Sequence, residues 1–203
     1  MSVPRTLAFC AAAAVMLGAP AAKAAPLTIA NVGAPAINCV FNPACTVVAT
    51  DSVAGLPNSA PSSLGRLQTR TISGAPGAPA NGLTGYLYRI DLSSLPGSAP
   101  PLCVSAFKIA FGPMPTLHYP NNGPLAQVFV VTSGALGSIA PSGADLTGTT
   151  LTFTFRTPVC AGQSSFFFGL ASRTPPAPTD ANVMLVQGSQ GGWANVAARS
   201  PNP

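Results

Sequence analysis

Hydrophobic and polar residues alternate along several short runs of this chain, as they do in strands with one buried face. The clearest run covers residues 151–155, where Leu151, Phe153 and Phe155 fall on one face of an extended backbone and threonines fall on the other. Gly, Pro, Ser and Asn separate the runs, so the pattern predicts many short strands joined by turns. Further runs of this character are residues 45–50, 67–73, 103–111, 127–132, 165–171 and 183–187.

A second alternating run, residues 86–92, mixes apolar and charged positions. Because successive strand side chains point to opposite faces, Arg89 and Asp91 are predicted to face water. Within residues 103–111, Cys103 is an even number of positions from Phe107 and Phe111, so these three side chains share one face of a strand. Because the aromatic residues are expected in the core, Cys103 is predicted to lie on the buried face. The positions of residues 86–92 that are predicted to face the core are Tyr86, Tyr88, Ile90 and Leu92.

Two runs are apolar on both faces, residues 127–131 and residues 166–168. Strands of this kind are covered on each side. We therefore expect them to be central strands, with a loop or an extra strand lying over one outer face of the sheet.

Helix-forming sequence is scarce, because the chain has no glutamate and its alanines are interleaved with proline and glycine. We expect one short helical turn at most and loop-rich segments near residues 52–63, 74–82 and 172–181. The fold class predicted is a single-domain, all-β, antiparallel sandwich of the jelly-roll or Ig-like kind, with about 8–10 strands.

Residues 1–24 have the pattern of a secretory signal peptide. A basic start is followed by an apolar run of roughly 14 residues, which is shorter than the ~20 that a membrane-spanning helix needs. Ala22 and Ala24 supply small side chains at the −3 and −1 positions of a cut before Ala25. The sequence predicts a mature chain that is secreted or periplasmic and has no transmembrane span.

Cleavage removes Cys10 and leaves Cys39, Cys45, Cys103 and Cys160. An even number of cysteines in an exported chain favours disulfides. Three pairings are possible, and the turn residues between Cys39 and Cys45 favour Cys39–Cys45 with Cys103–Cys160. The spacings do not fit the short Cys pairs of structural zinc sites, so no metal is expected.

Only 6% of the residues are charged, and the net charge of +5 arises from few acids rather than many bases. The sequence therefore carries no electrostatic footprint of nucleic-acid binding. Lys108 is the one lysine after the leader, so the strand edges lack the lysines that block edge-to-edge pairing. A nearly neutral surface of this kind favours association with neighbours.

Catalytic side chains are few. His118 is the one histidine and precedes turn residues, no Gly-x-Ser-x-Gly motif is present, and a hydrolase using His118 is the least favoured function. The carboxylates adjoin turns or an arginine rather than forming an obvious acid–base pair. We expect no enzymatic activity and no cofactor. The carboxylates are Asp51, Asp91, Asp145 and Asp180.

Aromatic side chains offer one further route to function. Tyr and Trp combine an apolar ring with a polar group, which suits a solvent-exposed binding surface. Since Tyr86 and Tyr88 are assigned to the core, Tyr119 and Trp193 are the candidate ligand-binding residues. The sequence thus favours a structural or adhesive protein of the cell envelope or exterior, and the candidate partners are a second copy of the chain (a homo-oligomer), an envelope protein or a polysaccharide. The alternative is a glycan- or ligand-binding module.

Overall fold

The computed structural model describes residues 23–57, 59, 64–120, 123–134 and 136–201. Most of the predicted signal peptide, residues 1–22, lies outside the described residues. The elements in chain order are β1 (Ala25–Pro26), β2 (Ile29–Gly33), α1 (Ala34–Phe41), β3 (Ala49–Gly55), β4 (Arg66–Ser73), β5 (Thr84–Asp91), β6 (Leu102–Ala110), β7 (Leu117–His118), β8 (Leu125–Ala126), β9 (Val128–Ser133), β10 (Gly143–Thr147), β11 (Thr150–Cys160), β12 (Phe167–Ser172), β13 (Pro176–Gln187) and β14 (Gln190–Pro201).

Two six-stranded sheets pack against each other. Sheet A has the order β1-β10-β11-β6-β13-β14, sheet B has the order β2-β9-β12-β5-β4-β3, and β7 pairs with β8 alone. The ladders between named strands are antiparallel apart from β2–β9, which is parallel. The predicted all-β sandwich is confirmed. The strands are more numerous than the prediction because very short strands such as β1 and β7 carry no alternation that a sequence could show.

Aromatic rings fill the space between the sheets. Tyr88 and Phe168 come from sheet B, while Phe107 and Phe153 come from sheet A, and all four are fully buried. The closest pair, Phe153 and Phe168, has ring centroids 4.6 Å apart. The inward parity predicted for residues 86–92 and 151–155 is therefore confirmed.

A second apolar cluster covers the outer face of sheet B, as the two-sided runs predicted, but a helix contributes to the cover where a loop or an extra strand was expected. Helix α1 lies on this face and buries Ile37, Val40 and Phe41. The ring of Phe41 sits directly over Gly85 of β5, where any Cβ would collide with it. The expectation of one helical turn was too low, because burial of this apolar stripe stabilises a helix of eight residues. Pro35 lies in the first turn of this helix, where proline is tolerated.

Both preferred disulfides are present, Cys39–Cys45 beside α1 and Cys103–Cys160 between β6 and β11. The burial predicted for Cys103 is wrong, since this residue is partly exposed and the neighbouring Val104 is buried. The reason is a register shift where β6 pairs with β13, which reverses the face of the residues before Ala106.

The predicted loops agree with the structure only in part. Residues 74–82 form no strand, but residues 52–55 belong to β3, and β13 begins at Pro176 within the segment 172–181 that was predicted to be loop. Most of the remainder of 52–63 lies outside the described residues. Prolines are compatible with this end of β13 because residues 176–180 pair with β14 but not with β6.

Candidate functional site

Trp193, a predicted ligand-binding residue, lies near the start of β14 on the outer face of sheet A. Its residue surface is 41% exposed. The ammonium Nζ of Lys108, on β6, lies 4.0 Å from the ring centroid, so a cation already covers part of the aromatic surface. Such a contact contributes about 0.5–1 kcal/mol at an exposed site. The ring is accessible but held in place.

Tyr119, the other candidate, is not available to an external ligand. It is fully buried in the second apolar cluster, and its ring centroid is 5.0 Å from that of Phe129. Burial raises the pKa of the Tyr119 phenol, and its hydroxyl has no hydrogen-bond partner among the described residues. The prediction that Tyr119 forms a surface platform is wrong, because β7 and β8 carry this segment onto sheet B. Trp193 and Tyr119 are therefore not parts of one site.

Strand β14 forms one edge of sheet A and is not among the strands predicted from the sequence. A two-residue turn at Gly188, whose φ is +60°, joins it to β13, and Gln187 faces Gln190. In such a hairpin the residues next to the turn bond to each other, so every second residue bonds across the ladder. The backbone groups of Gly191, Trp193 and Asn195 therefore point away from β13, toward the open edge.

The two halves of β14 have different surroundings. At its C-terminal end Ser200 and Pro201 are buried, and the Arg199 carbonyl accepts a hydrogen bond from the Tyr88 hydroxyl of sheet B. Arg199 is an even number of residues from Asn195, so its carbonyl group is also expected to point away from β13, and this hydrogen bond agrees with that direction. Residues 190–193 are exposed, and residues 190–198 include no charged side chain. We call residues 190–195 the open edge.

Two ion-pair groups lie on the outer face of sheet B. Arg70 forms a bidentate salt bridge with Asp51, in which Nε donates to Oδ1 at 2.7 Å and Nη2 donates to Oδ2 at 2.8 Å. The side-chain amide of Gln68 donates to the same carboxylate. The hydrogen bond from Arg70 is the main cause of the lowered pKa of Asp51, and it outweighs the effect of partial burial. This pair stabilises the pairing of β3 with β4.

The second group corrects the prediction that Arg89 and Asp91 face water. Arg89 is only 8% exposed, and its Nη1 lies 3.3 Å from Asp91 Oδ2, while Arg66 approaches the same oxygen at 3.4 Å. Burial alone would raise the pKa of Asp91, but hydrogen bonds from Ser93 and the two arginine charges lower it overall. The charges are buried because they neutralise one another and because the Ser164 hydroxyl accepts from Arg89.

His118 lies on β7 with its side chain exposed. One ring nitrogen, Nδ1, contacts the Gly123 carbonyl oxygen at 2.6 Å. The hydrogen bonds found among the described residues do not join His118 to a hydroxyl nucleophile or to a carboxylate. Within the same residues, no three His, Cys, Asp or Glu side chains come together as metal ligands do.

The chain matches no protein-family model, no curated protein and no solved structure. In the part of the chain that the structure describes, no helix has both the length and the apolar character needed to cross a membrane. The open edge of β14, with Trp193 beside it, is the feature that we take as the candidate functional site.

Proposed function

We propose that this chain is an exported, non-enzymatic protein with a structural or adhesive role at the cell envelope or outside the cell. The open edge of β14 is the observation that carries the proposal. An exposed edge without charge offers unpaired N–H and C=O groups to another strand. The two disulfides support export, because such bonds persist in oxidising compartments.

A second copy of the chain is a suitable partner for the open edge. Two copies related by a two-fold axis would pair their β14 strands antiparallel, so that the same residues contribute from both sides. Because residues 190–198 are uncharged, no like charges would oppose each other in that arrangement. An envelope protein that donates a neutral strand would meet the same groups.

Replacing Asn195 with lysine is expected to weaken self-association of the mature chain roughly tenfold, because a charged side chain on an edge strand opposes edge-to-edge pairing. Asn195→Lys is matched by Asn182→Lys, since Asn182 is its direct neighbour on β13, on the same face but one strand inside the edge. Size-exclusion chromatography with light scattering over a concentration series measures the effect. Equal weakening by both lysines, or a monomeric wild-type chain at every concentration, would count against edge pairing between copies.

A glycan-binding module is the second candidate function, and the exposed Trp193 ring favours it. The ring offers an apolar surface next to the amide of Asn195 and the unpaired backbone groups of the open edge. A sugar could stack its apolar face on the ring and form hydrogen bonds through its hydroxyl groups with these polar groups. Since all three tyrosines are buried, Trp193 would act without a second Tyr or Trp ring among the described residues.

If that second function holds, Trp193→Ala is expected to reduce retention on a polysaccharide matrix roughly fivefold, through loss of one stacking contact. Val53→Ala is the control, because Val53 is also an exposed apolar residue but lies on sheet B. Affinity electrophoresis in gels containing envelope polysaccharide gives the comparison. Unchanged retention of the Trp193 variant would exclude the ring as a glycan platform.

A further inference from the structure

A groove lies between α1 and the outer face of sheet B, on the opposite side of the sandwich from Trp193. Its volume is about 370 Å³, which is within the range of small-molecule sites. The lining is mostly apolar, and among the described residues polar side chains reach it from Asn38, Gln68 and Arg70. We call this the helix groove. Its principal apolar lining residues are Ile37, Ile72, Leu87, Val131, Leu136 and Phe167.

The rim of the helix groove exposes apolar surface to solvent. Leu136 is 63% exposed although it lines the groove, and Val47, which also lines it, is partly buried. Exposed apolar side chains that continue into an apolar concavity are typical of a binding site. Contact with an apolar ligand would remove the Leu136 side chain from water.

The charge around the helix groove is positive. In the part of the chain that the structure describes, the ion pairs on this face of sheet B contain three arginines and two aspartates, and no carboxylate lines the groove itself. The guanidinium carbon of Arg70 is 4.9 Å from the ring centroid of Phe167, which places the cation directly beside the apolar lining. Asp51 uses Nε and Nη2 of Arg70, so the two N–H groups of Nη1 lie outside that ion pair.

A buried donor without a partner lies next to the same end of the groove. Arg89 is the neighbour of Gln68 across the β4–β5 ladder, and its guanidinium carbon is 6.0 Å from the Phe167 centroid. Its Nε has no hydrogen-bond partner among the described residues. An unsatisfied buried donor on a cation adds to the preference of this region for negative charge.

We propose that the helix groove binds a medium-chain carboxylate, with the acyl chain against Phe167 and Leu136 and the carboxylate at the Nη1 side of Arg70. The apolar lining selects the chain, and the net positive charge selects the anionic end. A volume near the lower limit for ligand sites admits one short chain rather than a two-chain lipid.

Octanoate tests this proposal, with octan-1-ol as its uncharged counterpart of equal chain length. Isothermal titration calorimetry of the mature, disulfide-bonded chain at pH 7 should show saturable one-site binding of octanoate. Octan-1-ol should bind roughly tenfold more weakly, because it lacks the charge-assisted hydrogen bond. Absence of saturable octanoate binding, or equal affinity for the alcohol, would overturn the proposal.

Two sets of variants locate the site. Leu136→Gln should weaken octanoate binding roughly fivefold, whereas Leu125→Gln should leave it unchanged, since Leu125 is 55% exposed but lies outside the groove. The double variant Asp51→Asn/Arg70→Gln keeps the net charge and should abolish the preference for octanoate over octan-1-ol. Equal losses from both leucine variants, or a preference that survives the double variant, would contradict this placement.

The helix groove and the open edge are independent of each other. Asn195→Lys should change self-association and leave octanoate binding unchanged, while Leu136→Gln should do the reverse. Failure of one proposal is thereby distinguished from failure of the other.

Discussion

Replacing Phe168 with alanine is expected to lower the free energy of unfolding by about 4 kcal/mol. The Phe168 ring is fully buried and lies within 6.2 Å, between centroids, of four other rings. Its removal leaves a cavity between the sheets that the strand backbones cannot close. Those rings belong to Tyr88, Phe107, Phe153 and Phe155.

Urea unfolding of the oxidised mature chain, followed by tryptophan fluorescence, measures that loss. Phe166→Ala is the matched control, because Phe166 is only partly buried at the margin of the same core. It should cost less than about half as much, since less apolar surface leaves water at that position. Equal losses at both positions would mean that the sandwich is not packed around Phe168.

Removing the Asp91 carboxylate is expected to destabilise the protein by about 3–5 kcal/mol at pH 7, because Asp91→Ala leaves the Arg89 charge buried without its counter-ion. A double variant, Arg89→Met/Asp91→Leu, should recover at least half of this loss, since no uncompensated charge remains there. Asp180→Ala is the control on an exposed carboxylate and should change stability by less than about 0.5 kcal/mol. Chemical denaturation of the four proteins tests these values.

The same carboxylate predicts how stability depends on pH. The pKa of Asp91 is lowered in the folded protein, so its contribution is fully present above the pKa of the unfolded chain, about 3.9. That contribution is lost as the pH falls below about 4 and passes through the folded pKa. In the double variant the decrease in stability over this acid range should be smaller. A decrease of unchanged size would assign the acid sensitivity to other groups.

Most of the core could be predicted from local alternation. The inward parity of Tyr86, Tyr88, Phe153 and Phe155 follows from the two-residue period of a strand, and the structure confirms it. The apolar run that contains Phe168 also predicted, correctly, that sheet B is covered on both faces. In each case the signal lies within a few consecutive residues.

The errors arise where distant parts of the chain decide the outcome. Arg89 and Asp91 are buried because residues near Ser164 form hydrogen bonds with β5. These segments are far apart in the sequence, so local alternation does not predict the contact. Helix α1 depends on sheet B to bury its apolar stripe. It was not predicted because its sequence begins with alanines alternating with Pro35, which is not typical of a helix. Tyr119 was proposed as a ligand-binding residue because the other two tyrosines were assigned to the core, but the β7–β8 pairing places its segment against the second apolar cluster, where Tyr119 is buried.

The candidate site was the least predictable part of the molecule. Trp193 was identified from its residue type, but β14 was not, because its Gly-rich start is typical of a loop and its inward positions are small. Ala194, Val196 and Ala198 do alternate inward, and this weak signal could have identified the strand. The helix groove is lined by α1 and by five strands of sheet B, so no local sequence pattern could have predicted it.

Recovery of the mature chain from its own cell surface tests the central proposal most directly. The wild-type protein and the Asn195→Lys variant, each carrying the same affinity tag, would be cross-linked on intact cells and purified. A contact role through the open edge predicts that the wild type brings down a second copy or an envelope component and that Asn195→Lys loses most of it, while Asn182→Lys does not. Recovery of the wild type only as a soluble monomer, with nothing attached, would contradict the proposed structural or adhesive function.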